Sequence, residues 1–453
     1  LRTQLVLKNL LRREEKMDEK GWKEIKEEGV QTLSKYIQFN TTNPPGNELP
    51  AAEFLGSILK REKIDFHIEK TAENRANLYA EISVGKDPPI ILLNHIDVVA
   101  ADPKEWSFDP FSGTVKDSYV WGRGTIDCKG LGIMELFAFI NLKREGILRR
   151  NLIFCATADE EMGGRFGAYI ASEKLSHRLN GAFVLNEGGL GIKKMLSGKD
   201  LFSPDFGEKG PLWVELTSKG KAGHGSMPHP DNANLKLINA VQEILKIRKK
   251  LKVIPQMYSA MDYLKKEEGL FKIFPFIFKI LPKSLLKRAL SKNYRLSAMF
   301  HNTFALTILN GGYKENVIPG SSRAVIDIRV LPGESPDEII DEIKKRVKKF
   351  DVTVNILARE TPSLSEPKTK YMDSIREVIK KNYPDAIFLP MLVPGFTDSR
   401  FFRAKGAIAY GFIPCAFEQE DVDRVHGVNE RISEDCLFEG TKNIYEIVKA
   451  LQE

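Results

Sequence analysis

Cysteine is scarce in this sequence: four in 453 residues, at Cys128, Cys155, Cys415 and Cys436, with no C-x-x-C spacing. That excludes a disulfide-dense scaffold and a thiolate zinc finger. Long apolar runs are missing too. No stretch reaches the roughly 18 to 20 uninterrupted apolar residues of a membrane span. The first twenty residues hold neither a signal-peptide core nor a small-residue cleavage site. Residues 1–21 read as an exposed, charged helical extension, and the expected compartment is the cytoplasm. No internal repeat or low-complexity tract is present. No charge sign dominates either, since 68 lysines and arginines face 61 acids for a net charge of +7. An excess that small does not make a nucleic-acid binder, because clustering rather than the total holds a polyanion. What remains is an ordinary globular composition, 42% hydrophobic and 28% charged. It is long enough for two or three domains.

From Trp22 onward, helical periodicity alternates with short apolar runs, the mark of an α/β fold with a mostly parallel sheet. The runs ANLYAEI, PIILLNHIDVV, NLIFCATADEE and GAFVLNEGG are short, rich in Ile, Leu, Val or Phe, and lead into polar or glycine-containing segments. Strands buried on both faces read this way. Ligands of open α/β sheets bind beyond the carboxyl ends of the strands, and the acids and His95 fall there. The pattern changes at Pro211. PLWVELTSKGKAGHGSMPH, the strands TFALTILNGG and SRAVIDIRV, the helix PDEIIDEIKKRVKKF and the strand DVTVNILA suit a small α+β domain over 213–360. It would be inserted into a first domain made of 22–212 and 361–453.

Candidate chemistry lies at the strand ends. His95 and Asp97 are two apart, so a strand points them to one face, and a carboxylate commonly fixes a metal-bound imidazole through its second nitrogen. A plain hydrogen-bonded strand-end pair gives the same spacing. Asp127 precedes an apolar helix, where a helix cap is the competing reading. Glu160 and Glu161 follow Asp159 after a buried run. Adjacent carboxylates there repel each other unless a cation or proton relieves them, whereas a solvated acidic loop would need neither. One can hold a metal while its neighbour takes a proton from water. Glu187 ends another strand, and His426 sits in a polar loop. Nitrogen and carboxylate donors without thiolates suit zinc, with cobalt or manganese as substitutes. GHGS lacks the G-x-S-x-G pattern of a serine nucleophile. His229, close by, reads as ordinary turn chemistry, while His67, His177 and His301 carry no motif and default to structural roles.

Taken in order, NHIDVV, GRGTIDCKG, DEEMGG, NEGG, GHGSMPH, NVIP, DIRV, TDSRFF and VHGVNE resemble the motif series of one zinc-dependent metallopeptidase family. It contains aminoacylases, glutamate-releasing and yeast vacuolar carboxypeptidases, and succinyl-diaminopimelate desuccinylase. The resemblance spans about residues 22–453. NTTNPPGNE, WGRGT and the long helical insertion make it most similar to the carboxypeptidase S and N-acyl amino acid hydrolase branch. It implies a zinc-exopeptidase sheet with a ferredoxin-like lid and dimerisation domain, two Zn²⁺ per subunit, and homodimers formed through that domain. It implies Asp127 as the bridge between metals, His95 and Glu187 on one ion, and Glu161 and His426 on the other. Glu160 would be the general base and Asp97 the acid that orients His95. His224 would reach the carbonyl oxygen, often from the partner subunit. Asn316 and Arg329 would bind substrate, and Gly395 and Arg400 its carboxylate, although salt bridges would equally occupy the arginines. The activity implied is hydrolysis of an amide bond next to a free carboxylate, in an N-acyl amino acid or a short peptide. An inactive member kept as a binding protein is the alternative. Cys128, and the lone glycine in PGFTDSR, depart from the usual pattern.

Residues 244–295 stand apart. They hold 14 lysines and arginines against 3 acids, so the rest of the chain is mildly acidic. Phe271, Phe274, Phe276 and Phe278 lie among lysines, and Pro275 and Pro282 interrupt the run. The segment is expected to add helices packed on the inserted domain. Two sharper readings are a greasy cover for long acyl substrates and a surface-lying amphipathic segment at a membrane.

Overall fold

The computed structural model describes residues 19–85, 88–247, 250–290 and 292–452. Most of the extension expected over 1–21 lies outside the described residues. The chain enters through helix α1 (Glu19–Ile37), which buries Leu33, Tyr36 and Ile37, and α2 (Leu49–Arg61), which buries Leu55 and Leu59. The antiparallel pair β1 (Phe66–Ala72) and β2 (Arg75–Ile82) follows. Next comes β3 (Ile90–His95), all six of whose residues are buried. Helix α3 (Lys129–Glu145) is buried along most of its length and closes on Gly146 in the left-handed region, φ 64°. Glycine is the natural residue there because a residue with a Cβ is strained at a left-handed φ. Strands β4 (Leu152–Thr157), β5 (Phe183–Leu196) and β6 (Asp205–Glu208) complete this half.

A second sheet then forms from β7 (Gly210–Lys219), β8 (Thr303–Gly311), β9 (Ser321–Val330) and β10 (Val352–Arg359), antiparallel in the order β8-β9-β7-β10. Helices α4 (Ala233–Leu245) and α6 (Pro336–Val347) cover one of its faces. Leu212, Val214, Leu237, Ile326, Ile328 and Ile343 form a core of their own there. Between α4 and β8 lies the basic insertion, built of short helices that include α5 (Leu270–Ile280). It packs largely on the first half rather than on the α+β layer. Tyr263 meets Phe388 edge-on at 5.6 Å, and Leu264 joins Leu201 and Ile387.

The chain returns through α7 (Lys370–Asn382), β11 (Ile408–Phe417) and α8 (Glu434–Ala450). The main sheet runs β1-β2-β4-β3-β5-β11-β6, and its centre, β4-β3-β5-β11, is parallel throughout. This is the expected α/β class. Parallel pairing aims the loops after β3, β4 and β5 at one crevice. His95 ends β3, and Glu160 and Glu161 lie just beyond β4, whereas Glu187, expected at a strand end, lies inside β5, two residues past Leu185, where its pairing with β3 stops.

Candidate metal centre

His95 closes β3, with its ring buried. Nε2 lies 3.0 Å from Asp127 Oδ1, and Nδ1 lies 3.0 Å from the main-chain oxygen of Asp97. The Asp97 carboxylate is 3.6 Å from that ring nitrogen. Its stronger commitments lie elsewhere: Oδ1 accepts from the Glu160 N–H at 3.0 Å, and Oδ2 accepts from Glu161 N–H and from Asn43 Nδ2 at 2.8 Å. Asp97 therefore pins the backbone of the two glutamates as firmly as it steadies the imidazole.

Asp127 is not a helix cap. The residue at the start of α3 is Cys128, with no side-chain cap bond. The Asp127 side chain turns instead to both histidines, Oδ1 toward His95 and Oδ2 3.0 Å from His426 Nε2. His426 Nε2 is also 3.4 Å from Glu161 Oε1. Glu160 is buried, so these glutamates do not form a solvated loop. Two groups of donor atoms come together within 4.8 Å: His95, Glu160 and Glu187, and His95, Asp127 and Glu161.

The electrostatics follow from this crowding. Burial and the neighbouring Glu187 push Glu160 well above the ordinary carboxylate range, and burial and Asp127 do the same to Glu187. Burial raises Glu161 as well, against the pull of His426. Bonds to Asp127 and Glu161 push His426 up to about 10. Burial opposes ionisation of Asp127, but His426 and His95 hold it below the usual range. Four clustered carboxylates around two imidazoles are the arrangement that a divalent cation relieves. Glu161 Oε1 is buried with only the long 3.4 Å contact to His426 Nε2, which leaves it able to serve a cation. Cys128 belongs to neither donor group, and its Sγ is engaged with the His95 main chain. Burial pushes its thiol up to about 12. The donors are thus nitrogen and carboxylate oxygen alone, a set that fits zinc, cobalt or manganese.

Several supporting residues escaped the sequence reading. Glu430 is fully buried and accepts from the N–H groups of Gly124, Ile126 and Asp127 and from Arg123. It holds the Asp127 loop, and its signal was the final letter of VHGVNE. Asp159 sits at φ 73°, a left-handed turn fastened by Arg75, Asn43 and the Phe166 N–H. Arg75 Nη2 also donates to Asn43 Oδ1 at 2.5 Å.

The substrate-side candidates are more scattered. Arg400 is buried, donates to the Thr397 and Gly163 carbonyls, and stacks on Phe396 and Phe401, leaving Nε without a partner. Arg329 forms a forked pair with Asp327 and also faces Phe396, at 5.1 Å. Gly395 opens the loop that carries Phe396, with room beside its Cα. His224 is exposed, its Nδ1 bonded to Ser226 Oγ, on a two-residue strand paired with Val317 and Ile318. Asn316 adjoins it, accepting from the Gly225 N–H. Among the described residues, no bond joins His224 or Asn316 to the carboxylate–histidine cluster.

A mostly parallel sheet with this cluster at its strand ends defines a metal-dependent hydrolase. The chain belongs to peptidase family M20/M25/M40, whose model matches residues 91–450. It is 33% identical over 364 residues to the N-fatty-acyl-amino acid synthase/hydrolase PM20D1 of Xenopus tropicalis, covering 77% of this chain and 70% of the relative. It is 31% identical to a Dictyostelium discoideum protein described as probable carboxypeptidase S-like 2, over 76% of this chain and 68% of that one. In fold it matches an M20 family metallo-carboxypeptidase from Sulfolobus solfataricus with a TM-score of 0.74 at 22% identity, over 94% and 99% of the two chains. Human carnosine dipeptidase 1 follows at 0.71 and 14%, over 96% and 98%. Amide-bond hydrolysis is the chemistry this family membership supports.

Proposed function

We propose that the chain is a two-metal amidohydrolase acting on an amide bond beside a free carboxylate, in an N-acyl amino acid or at the C-terminus of a short peptide. The observation that carries this reading is Asp127, whose two carboxylate oxygens each lie 3.0 Å from a different histidine. Asp127 would bridge two ions, His95 and Glu187 would complete one ligand set, and Glu161 and His426 the other. When bound, zinc at such donors acidifies water and polarises a carbonyl as a Lewis acid. Glu160, raised by burial, takes the water's proton on its carboxylate and delivers it to the leaving nitrogen. Asp97 keeps both the His95 ring and the Glu160 backbone in place. Arg400 and the Gly395 loop would receive the substrate carboxylate, for which a guanidinium's planar fork is suited, with Arg329 and Asn316 beside them. His224 would donate to the developing oxyanion.

Its exposed position fits a donor that serves a second copy of the chain. The edge strand β8 leaves Leu306, Ile308 and Leu309 open, a surface suited to pairing between copies. The relative described as an N-fatty-acyl-amino acid synthase/hydrolase supports the acyl substrate class. The complete donor set speaks against an inactive binding protein. The test is a screen of N-acyl amino acids and dipeptides with zinc, cobalt and manganese. Chelator-reversible release of a free amino acid is expected, and metal-independent or absent turnover on every substrate would overturn the reading.

A further inference from the structure

Helix α5, of sequence LFKIFPFIFKI, has two apolar faces and buries only one of them. At 100° per residue, Phe271, Pro275 and Phe278 share a side. That side is packed: Phe278 meets Tyr258 and Phe300, and Phe271 leans on Leu201, Leu264 and Ile387. Leu270, Ile273, Phe274, Phe276, Ile277 and Ile280 cover a continuous arc of roughly 160° on the other side. They stand open, with Leu270 78%, Phe276 66% and Ile280 65% exposed. An apolar surface of this kind on a folded chain marks an interaction site.

The charge around it says what the partner is. From residue 269 to residue 314 there is no aspartate or glutamate, while eight lysines and arginines occur. Lys272 and Lys279 are exposed along one margin of the apolar arc. Lys287 and Lys292 are exposed just beyond the helix. Among the described residues these four lysines form no ion pair. A protein partner would pair such lysines with local acids, whereas a sheet of anionic headgroups over acyl chains matches both the apolar arc and its basic border. No helix among the described residues is long and apolar enough to cross a membrane, so the contact would be made from one side.

We propose that α5 and its flanking lysines seat the protein on the surface of an anionic lipid bilayer, with Leu270, Phe276, Ile277 and Ile280 entering the boundary between headgroups and acyl chains. The segment is also tied to the candidate centre. Arg295, at the end of the insertion, is paired at 2.9 Å with Asp423, three residues before His426. Docking would therefore hold the His426 loop near the membrane surface. This inference does not depend on the substrate or the metals.

The test is co-sedimentation of the full chain with vesicles of neutral phosphatidylcholine and with vesicles containing phosphatidylglycerol, at low and high salt. The chain should sediment with the anionic vesicles, poorly with the neutral ones, and less as salt rises. Phe276→Ser with Ile280→Ser, at exposed positions, should weaken binding about tenfold or more while the melting temperature stays put. Lys272→Glu with Lys279→Glu should abolish the preference for anionic vesicles. Absence of wild-type binding to any vesicle overturns the proposal. So does a dimer that the serine pair converts to monomer without any vesicle binding, since a second copy would then be the true occupant.

Discussion

The strand-end cluster and the α+β layer contribute to the proposed site in different ways. At the strand ends His95, Asp127, Glu161 and His426 already touch one another, and buried Asp97 and Glu430 hold their backbones. On the layer, His224 and Asn316 ride a short exposed hairpin with only local bonds. The first region is assembled within one chain, because carboxylates packed into a parallel-sheet crevice need each other, or a cation, to be tolerated there. The second is solvated and pays no such penalty, so it is free to act on something brought to it. The contrast predicts that metal binding at the first region and substrate contact from the second can be separated.

Separability is breakable by mutation. The largest effect is expected from Glu160→Gln, which should cut turnover by roughly a hundredfold to ten-thousandfold while bound metal, measured by mass spectrometry, is retained. Loss of metal instead would make Glu160 a ligand, as its place beside His95 and Glu187 also allows. His224→Ala should lower kcat by about a hundredfold or more with metal content unchanged. Mixing the Glu160→Gln and His224→Ala chains should then restore turnover if His224 serves a second copy, and should leave it near zero if it serves its own. Glu430→Gln, which loosens the loop behind Asp127, should weaken metal affinity by about ten- to a hundredfold, seen by competition with a chelator. The smallest effect on chemistry belongs to Ile326→Ala in the core of the layer. It should cost about 2 to 5 kcal/mol of stability without changing metal stoichiometry, and a loss of metal would show that the two regions are not separable.

The central sheet was legible because strands buried on both faces have no choice but to be uninterrupted runs of Ile, Leu, Val and Phe, as in β3 and β4. His95, Glu160 and Glu161 were legible as candidates because they end or follow such a run, although each motif alone had a plain structural reading, and the division of Asp127, Glu187 and His426 into ligand sets came only with the family resemblance. Taken singly, Asp127 looked more like a helix cap than a ligand, and only the fold showed its carboxylate turned to two histidines. Glu430, Arg75 and Asn43 stayed hidden, since they act through backbone N–H groups and other side chains that are distant in sequence. The basic insertion was visible as composition, but its packing was not. Nothing in a run of Phe and Lys says that Phe271 and Phe278 face the first half while Phe276 faces out.

The central claim is that one chain holds two divalent ions through Asp127 for amide hydrolysis. Its most direct test is metal content per chain after dialysis against zinc, compared between the wild type and Asp127→Ala, with turnover on an N-acyl amino acid followed in parallel. Two zinc ions and turnover in the wild type are predicted, with both lost in the variant. A variant that keeps two ions, or keeps wild-type turnover, would contradict the claim.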